Sequence, residues 1–211
     1  VEEPVVEEPV VEEPVVEEPV VGGGDTVIPS TSSLSLRGNN QGRATFTNTD
    51  GVLGNSGFDP LTGSAAVGIA AINIAQWEGS EASGAFIQVS GPETRAGGDP
   101  IVVQVYDLLP DRGDGLDLSP EAFDQIADPV DGIVDIDYEL ISPGDDFRTP
   151  FGLTLGQGIV AEGIEGTNPF FAALRFNNHR HPIESVELIG DDGSRTDFTR
   201  GSDNRFVLDG G

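Results

Sequence analysis

The sequence predicts a mostly β chain, a small barrel with one short helix followed by a second and smaller β unit. Three observations predict it. From about Gly42 to Leu140, short apolar runs rich in β-branched residues alternate with Gly, Pro and Asp, the pattern of strands cut by turns. Only the stretch from Ser119 to Ala127 carries both a helix start signal and helical spacing. Beyond a Gly- and Pro-rich stretch, the strand pattern resumes at Phe170.

The first twenty residues stand apart, as four copies of Val-Glu-Glu-Pro-Val. A proline in every repeat removes a backbone donor and breaks helix or central strand. Paired glutamates repel one another and extend the chain. With Val21-Gly-Gly-Gly-Asp25 and the Ser/Thr/Pro run after it, residues 1–36 read as a disordered acidic tether and linker.

The strands follow in order. Ala44–Thr47, Ala66–Ile74, Ala85–Val89, Ile101–Tyr106 and Ile133–Ile141 are bounded by turn residues. The helix starts at Ser119, whose side chain suits an N-cap, with Pro120 at the first helical position and Glu121 at the positive end. Phe123, Ile126 and Ala127 then fall on one face. Residues 142–167 read as a linker or extended crossover. Phe170–Phe176, Ile183–Ile189 and Phe198–Leu208 form the second set of strands, with a hairpin turn at Asp191-Asp-Gly193. A unit of this size is near the lower limit for folding alone, so it packs on the barrel, is incomplete, or is poorly ordered.

Charge narrows the partners. Thirty-seven Asp and Glu face ten cations, for a net charge of −27, and every cation is arginine because lysine is absent. Such a field repels nucleic acid, anionic membranes and anionic wall polymers, which leaves a neutral partner. Cysteine is absent and histidine occurs twice, so neither disulfides nor a thiolate or histidine-rich metal site is expected. No run of eighteen apolar residues is present to span a membrane. The acidic turns do not make an EF-hand: counted from Asp114 and Glu121, its first and third ligand slots hold Pro110 and Arg112.

Asp107 ends a strand and Asp117 opens the turn before the helix. Two carboxylates on adjacent elements can share a groove, and paired carboxylates are what sugar chemistry uses. Spacing alone leaves the blander alternative open, in which Asp117 bonds nearby backbone donors as turn aspartates often do. Trp77, the single tryptophan, lies in a Glu/Gly/Ser-rich loop, where sugar contact and burial against the barrel are both open. His179 and His181 flank Arg180 and read as turn support.

Beyond spacing, Val105-Tyr-Asp-Leu-Leu-Pro110 followed by Gly115-Leu-Asp-Leu-Ser-Pro-Glu-Ala-Phe-Asp-Gln-Ile-Ala127 resembles the double-psi barrel domain of bacterial and microbial expansins. Gly42-Arg-Ala-Thr-Phe-Thr47, Phe58-Asp-Pro60, Gly68-Ile-Ala-Ala-Ile-Asn73 and Val130-Asp-Gly-Ile-Val-Asp-Ile-Asp-Tyr138 agree in order and spacing. Asn168-Pro-Phe-Phe-Ala-Ala-Leu-Arg-Phe-Asn-Asn-His-Arg-His-Pro-Ile183 is similar to the start of the family's second domain, an immunoglobulin-like sandwich that binds cellulose. After the tether at 1–36, the resemblance implies a six-stranded double-psi β-barrel at 37–143, a linker at 144–167 and a partial carbohydrate-binding sandwich at 168–211. The chain begins at Val1 without Met, which fits either a removed signal peptide or a fragment, and the second domain reads as truncated.

Carried over by position, Thr45, Asp107 and Asp117 form the polar floor of the barrel groove, and Asp117 is the position on which wall loosening depends. Leu109 stands where the family has an aromatic, and Asp203 where it has the third aromatic of the cellulose platform. Phe170 and Phe171 take the places of the two stacking tryptophans, although adjacent strand residues face opposite ways. The implied function is a secreted, extracellular, monomeric protein, cell-surface tethered or free. It binds cellulose or another neutral β-glucan and loosens the wall without hydrolysis, using no cofactor. The alternative is a glycan-cleaving enzyme on the same barrel, an endoglucanase or peptidoglycan lytic transglycosylase, with Asp117 as general acid and Asp50 or Asp59 as base. A third reading is a surface adhesion or display module.

Overall fold

The computed structural model describes residues 34–48, 51, 53–58, 68–168 and 170–209. The Val-Glu-Glu-Pro-Val repeats, Thr49, Asp50 and Asp59 lie outside them, so the tether and the two base positions are not addressed by the fold.

Six strands close into a barrel: β1 (Asn39–Phe46), β2 (Ile69–Asn73), β3 (Phe86–Ser90), β4 (Ile101–Leu109), β5 (Leu116–Leu118) and β6 (Val134–Ile141), in the spatial order β1-β5-β2-β4-β3-β6. β1 pairs with β5 and β2 with β4 in parallel, and the other ladders are antiparallel. Alternation along the strands fills the interior. Ile101, Val103 and Val105 of β4, Val134, Ile136, Tyr138 and Leu140 of β6, and Ala70 and Ile72 of β2 are all buried in one core. The five barrel strands expected from the sequence are present. β5 is the sixth strand that the resemblance implies, formed by three residues that the strand pattern leaves in the turn before the helix.

Close backbone approach fixes where β5 meets β1. Gly115 has φ +79, and a Cβ there would lie 1.9 Å from the Arg43 carbonyl oxygen. A Cβ on Gly42 would lie 2.8 Å from Gly115 Cα. Only glycine allows both the conformation and the contact. A buried polar network holds the same corner: Asn73 Nδ2 donates to the Gly115 carbonyl and to Gln76 Oε1, which also accepts from the Tyr138 hydroxyl.

Three short helices cover the barrel. α1 (Ile74–Trp77) is capped by Asn73, and α2 (Pro92–Arg95) follows β3. α3 (Pro120–Asp124) is the helix that the sequence predicts, with Ser119 Oγ accepting from the Ala122 amide and Pro120 in the first turn. Phe123 and Ile126 are fully buried, and the Phe123 ring meets Phe46 with centroids 4.7 Å apart.

The second unit is a four-stranded antiparallel sheet, ordered β11 (Thr199–Arg200), β12 (Phe206–Asp209), β8 (Phe171–Asn177) and β7 (Val160–Gly163), beside a hairpin of β9 (Glu187–Ile189) and β10 (Arg195–Asp197). The hairpin turns at Gly190–Ser194, as Asp191-Asp-Gly193 predicts. β7 lies inside the stretch read as linker, so the second sheet takes its first strand from there. The rest of that stretch is built onto the barrel: Phe151 packs on Phe58, Ile69 and Tyr106, and Phe147 meets the Phe86 ring edge-on at 5.2 Å. Gly and Pro in this segment make a strap of turns rather than a free spacer.

The second unit also docks directly. Ser80 Oγ donates to the Gly201 carbonyl at 2.8 Å, and Asn204 Nδ2 to the Ser56 carbonyl at 3.4 Å. His179 is buried beside Gly84 and bonds the His181 carbonyl through Nδ1 at 2.7 Å.

Candidate functional site

Four strands place the candidate residues in one row. Thr45 on β1 is the register partner of Asp117 on β5. Asp117 is the partner of Ala71 on β2, and Ala71 is in turn the partner of Asp107 on β4. Register partners in a sheet share a face, so the row Thr45–Asp117–Ala71–Asp107 crosses the outer wall of the barrel. With strands about 4.8 Å apart, the two aspartate backbones stand roughly 10 Å from one another with only the Ala71 methyl between them.

Simple alternation would have put Asp107 inside. Ile101, Val103 and Val105 point into the core, and the next odd residue is Asp107. The β2–β4 ladder, however, shifts between Ala70↔Val105 and Ala71↔Asp107, so Tyr106 is an extra residue in β4. This bulge turns Asp107 outward, the re-aiming that bulges beside functional sites provide. Past it, Leu108 packs against the core and Leu109 faces the groove.

Hydrogen bonds fix both acids. Thr45 Oγ1 donates to Asp117 Oδ1 at 2.6 Å and accepts from Arg112 Nη1 at 3.3 Å. Asp107 Oδ1 accepts from the backbone amides of Asn55 at 2.6 Å and Leu108 at 2.8 Å. A cavity of about 220 Å³ lies over the row, lined by Thr47, Asn48, Ala71, Leu108, Leu109 and the two carboxylates among others. Its walls are part apolar and part hydrogen-bonding, which suits a ligand with both hydroxyls and C–H faces. Among the described residues, no three His, Cys, Asp or Glu converge as a metal site.

The structure therefore brings together Thr45, Asp107 and Asp117. Arg112 and Asn55 join them and were not singled out by the sequence; the one available signal was a cation in an acidic loop two residues before Asp114. Trp77 needs correction as a sugar-contact candidate. It is 3% exposed within the barrel core, and its indole Nε1 donates to the Ser202 carbonyl at 3.3 Å. Both its faces and its donor are occupied by the protein itself, so the burial alternative holds.

On the second sheet Phe170 is 83% exposed, in a turn where its amide bonds Asn168 Oδ1, whereas Phe171 opens β8 and is half-buried. Asp203, in the β11–β12 turn, pairs with Arg205 at 2.5 Å. Burial lowers the proton affinity of His179, whose pKa is drawn from 6.5 to about 4. Arg200 is lowered to about 10 by the same cause; it lies over the Phe206 ring and donates to the Ile183 carbonyl and to Asn204 Oδ1.

No family model matches the sequence. The chain is 29% identical over 172 residues to Expansin-YoaJ of Bacillus subtilis strain 168, covering 79% of this chain and 66%, just under two thirds, of that protein's length. It is similar in fold to the expansin of Clavibacter michiganensis, solved as a point variant in complex with cellohexaose, with TM-score 0.66, 25% identity, and 80% of this chain matched to 77% of that one. The apo form of the same protein matches with TM-score 0.66 and 26% identity over the same shares.

Proposed function

Because the chain is an expansin-like protein of the bacterial kind, we propose that it binds a neutral β-glucan of the cell wall, cellulose or a hemicellulose, and loosens it without hydrolysis. The observation that carries this reading is the row Thr45–Asp117–Ala71–Asp107 on the outer barrel wall. The similarity to a protein crystallised with cellohexaose supports the class of ligand.

The chemistry is hydrogen-bond exchange. Asp107 and Asp117 each have one oxygen fixed by protein donors, and their remaining lone pairs accept from sugar hydroxyls. Leu109, which faces the groove, offers apolar contact to the ring faces. A glucan strand held this way forms bonds to the groove in place of bonds to its neighbour strand, so strands separate while every glycosidic bond stays intact. Phe170, standing out from the second sheet, supplies a stacking face for the flat side of a pyranose, with Phe171 beside it. The strongly acidic surface repels anionic polymers, which fits a neutral glucan. An extracellular place of action fits this substrate, and the proposed acting form is the monomer.

Incubation with soluble cellulose derivatives and with peptidoglycan tests the non-hydrolytic part: neither new reducing ends nor anhydro-muropeptides are expected. Release that Asp117→Asn abolishes would establish the glycan-cleaving alternative instead, with Asp117 as general acid. Weakening of wet paper or wall strips by the wild type, lost in Asp117→Asn, is the positive readout.

A further inference from the structure

We propose that Arg175 and Asn204 of the second unit are positioning residues that hold the Asn55 amide against Asp107, on the wall of the groove. This rests on the groove reading only for its functional consequence; the positioning itself stands on geometry.

Asp107 is held at one oxygen by two amides, and only one of them is its neighbour in sequence. The other, Asn55, belongs to the turn 54–57 and lies 52 residues away in sequence. One internal hydrogen bond and two contacts to the barrel shape that turn. The Ser56 amide donates to the Tyr106 carbonyl at 3.2 Å, the Gly57 amide to the Gly54 carbonyl at 2.9 Å, and Gly54 sits so close that a Cβ would lie 2.4 Å from the Tyr106 ring. Tyr106 is the bulge residue, so one irregularity both turns Asp107 outward and presents the carbonyl that seats its partner loop.

The barrel covers only one side of the turn. From the other side, the Arg175 guanidinium on β8 lies over Gly57, near enough that a Cβ there would come within 2.3 Å of Nη2. Asn204 Nδ2 donates to the Ser56 carbonyl, and Asn55 Nδ2 reaches the Ser202 carbonyl at 3.5 Å. Arg175 Nε is buried with no partner among the described residues, so its contribution here is contact rather than an ion pair. The turn is thus clamped between Tyr106 and the second sheet, and its backbone amide is what fixes the orientation of Asp107. Without the clamp the turn is an exposed loop held from one side, and ordering it falls to the glucan, which weakens binding.

The test uses the full chain. Amide hydrogen exchange and the proton shift of the Asn55 amide are followed by NMR in wild type, Arg175→Met and Asn204→Gly; glycine keeps the positive φ of Asn204 and removes its amide donor. Asp107→Asn identifies the shift that reports the carboxylate bond. The expectation is that Arg175→Met and Asn204→Gly each move the Asn55 amide toward its Asp107→Asn position and speed its exchange about tenfold. Arg195→Ala, on the remote hairpin, leaves it alone. Cellohexaose titration then weakens severalfold in both variants, and in combination with Asp107→Asn the effects are less than additive. An Asn55 amide unmoved in both variants would falsify the positioning role. So would full additivity with Asp107→Asn. If Asp107→Asn and Asp117→Asn leave cellohexaose binding unchanged while the Asn55 amide still responds to Arg175→Met, the groove reading falls and the positioning stands. As a check that the clamp is a packing contact, Gly57→Ala is expected to disturb the Asn55 amide, and Arg175→Ala in the same chain to relieve part of the effect.

Discussion

Thr45 Oγ1 donates to Asp117 Oδ1 on the neighbouring strand at 2.6 Å while Arg112 donates to the same hydroxyl from the loop before β5. A hydroxyl has one proton and two lone pairs. Because Arg112 brings a donor and no acceptor, the Thr45 proton goes to Asp117, which is thereby set as an acceptor at that oxygen. Thr45→Val keeps the shape and removes both bonds. The expected result is about tenfold weaker cellohexaose binding with a stability change of about 1 kcal/mol or less, read by titration calorimetry and thermal unfolding. Unchanged affinity would mean that the orientation of Asp117 does not matter to the ligand.

Gly115→Ala is expected to be severe. The added methyl would lie 1.9 Å from the Arg43 carbonyl at a φ of +79, so backbone on both strands must move. Overpacking together with a disfavoured dihedral should cost about 3 kcal/mol or more. Gly113→Ala nearby meets nothing within 4 Å and serves as the control. Equal melting temperatures for the two variants would show that the β1–β5 crossing is looser than described.

Trp77 makes a built-in reporter because it is the single tryptophan. Buried at 3% exposure, it should emit at short wavelength, shift to the red on unfolding, and stay unchanged as cellohexaose is added. Trp77→Ala should cost about 3–5 kcal/mol by cavity formation. Emission that follows ligand concentration would return Trp77 to the groove.

The two phenylalanines should separate by experiment. Phe170→Ala removes an exposed ring, so retention on crystalline cellulose should drop with little change in melting temperature. Phe171→Ala removes a half-buried ring at the start of β8 and should lower stability as well. If retention survives both substitutions, the aromatic platform is not where the chain holds cellulose.

Acid should loosen the seat of the second sheet. His179 is buried with a folded pKa of about 4 against 6.5 when unfolded. Between those values the unfolded chain binds a proton that the folded chain does not, so stability rises with pH. The contribution is fully present above about 6.5 and is lost as pH falls toward 4, amounting to at most about 3 kcal/mol. Burial lowers His181 in the same direction. His179→Gln should flatten this part of the stability profile measured by urea unfolding at several pH values.

How much of this was legible beforehand depends on the range of each signal. Ser119-Pro-Glu set the start of α3 because capping is local, and the Val/Ile-rich run of β4 announced a strand because period and composition agree. β5 was hidden, since the alternation of Leu116-Asp-Leu118 between a glycine and an N-cap is too short to establish a period. The outward turn of Asp107 was hidden too: a bulge is a mismatch between two strands, and neither strand shows it alone. Trp77 looks like loop because its Glu, Gly and Ser neighbours are polar, yet it packs in the barrel core and the acceptor of its indole N–H lies 125 residues away at Ser202. The glycines and prolines of the strap at 147–152 report turns equally well whether those turns are free, as in a linker, or packed.

The extra residue at Tyr106 makes the exposure of Asp107 a matter of parity. Between Ile101 and Asp107, an insertion or deletion of a single residue would trade inside for outside at the acid, whereas exchanging one β-branched residue for another would leave the arrangement alone. Among natural variants of this barrel, the length of that interval should accordingly drift less than its spelling. Anyone transplanting the groove to another barrel would have to carry the miscount along with the acids.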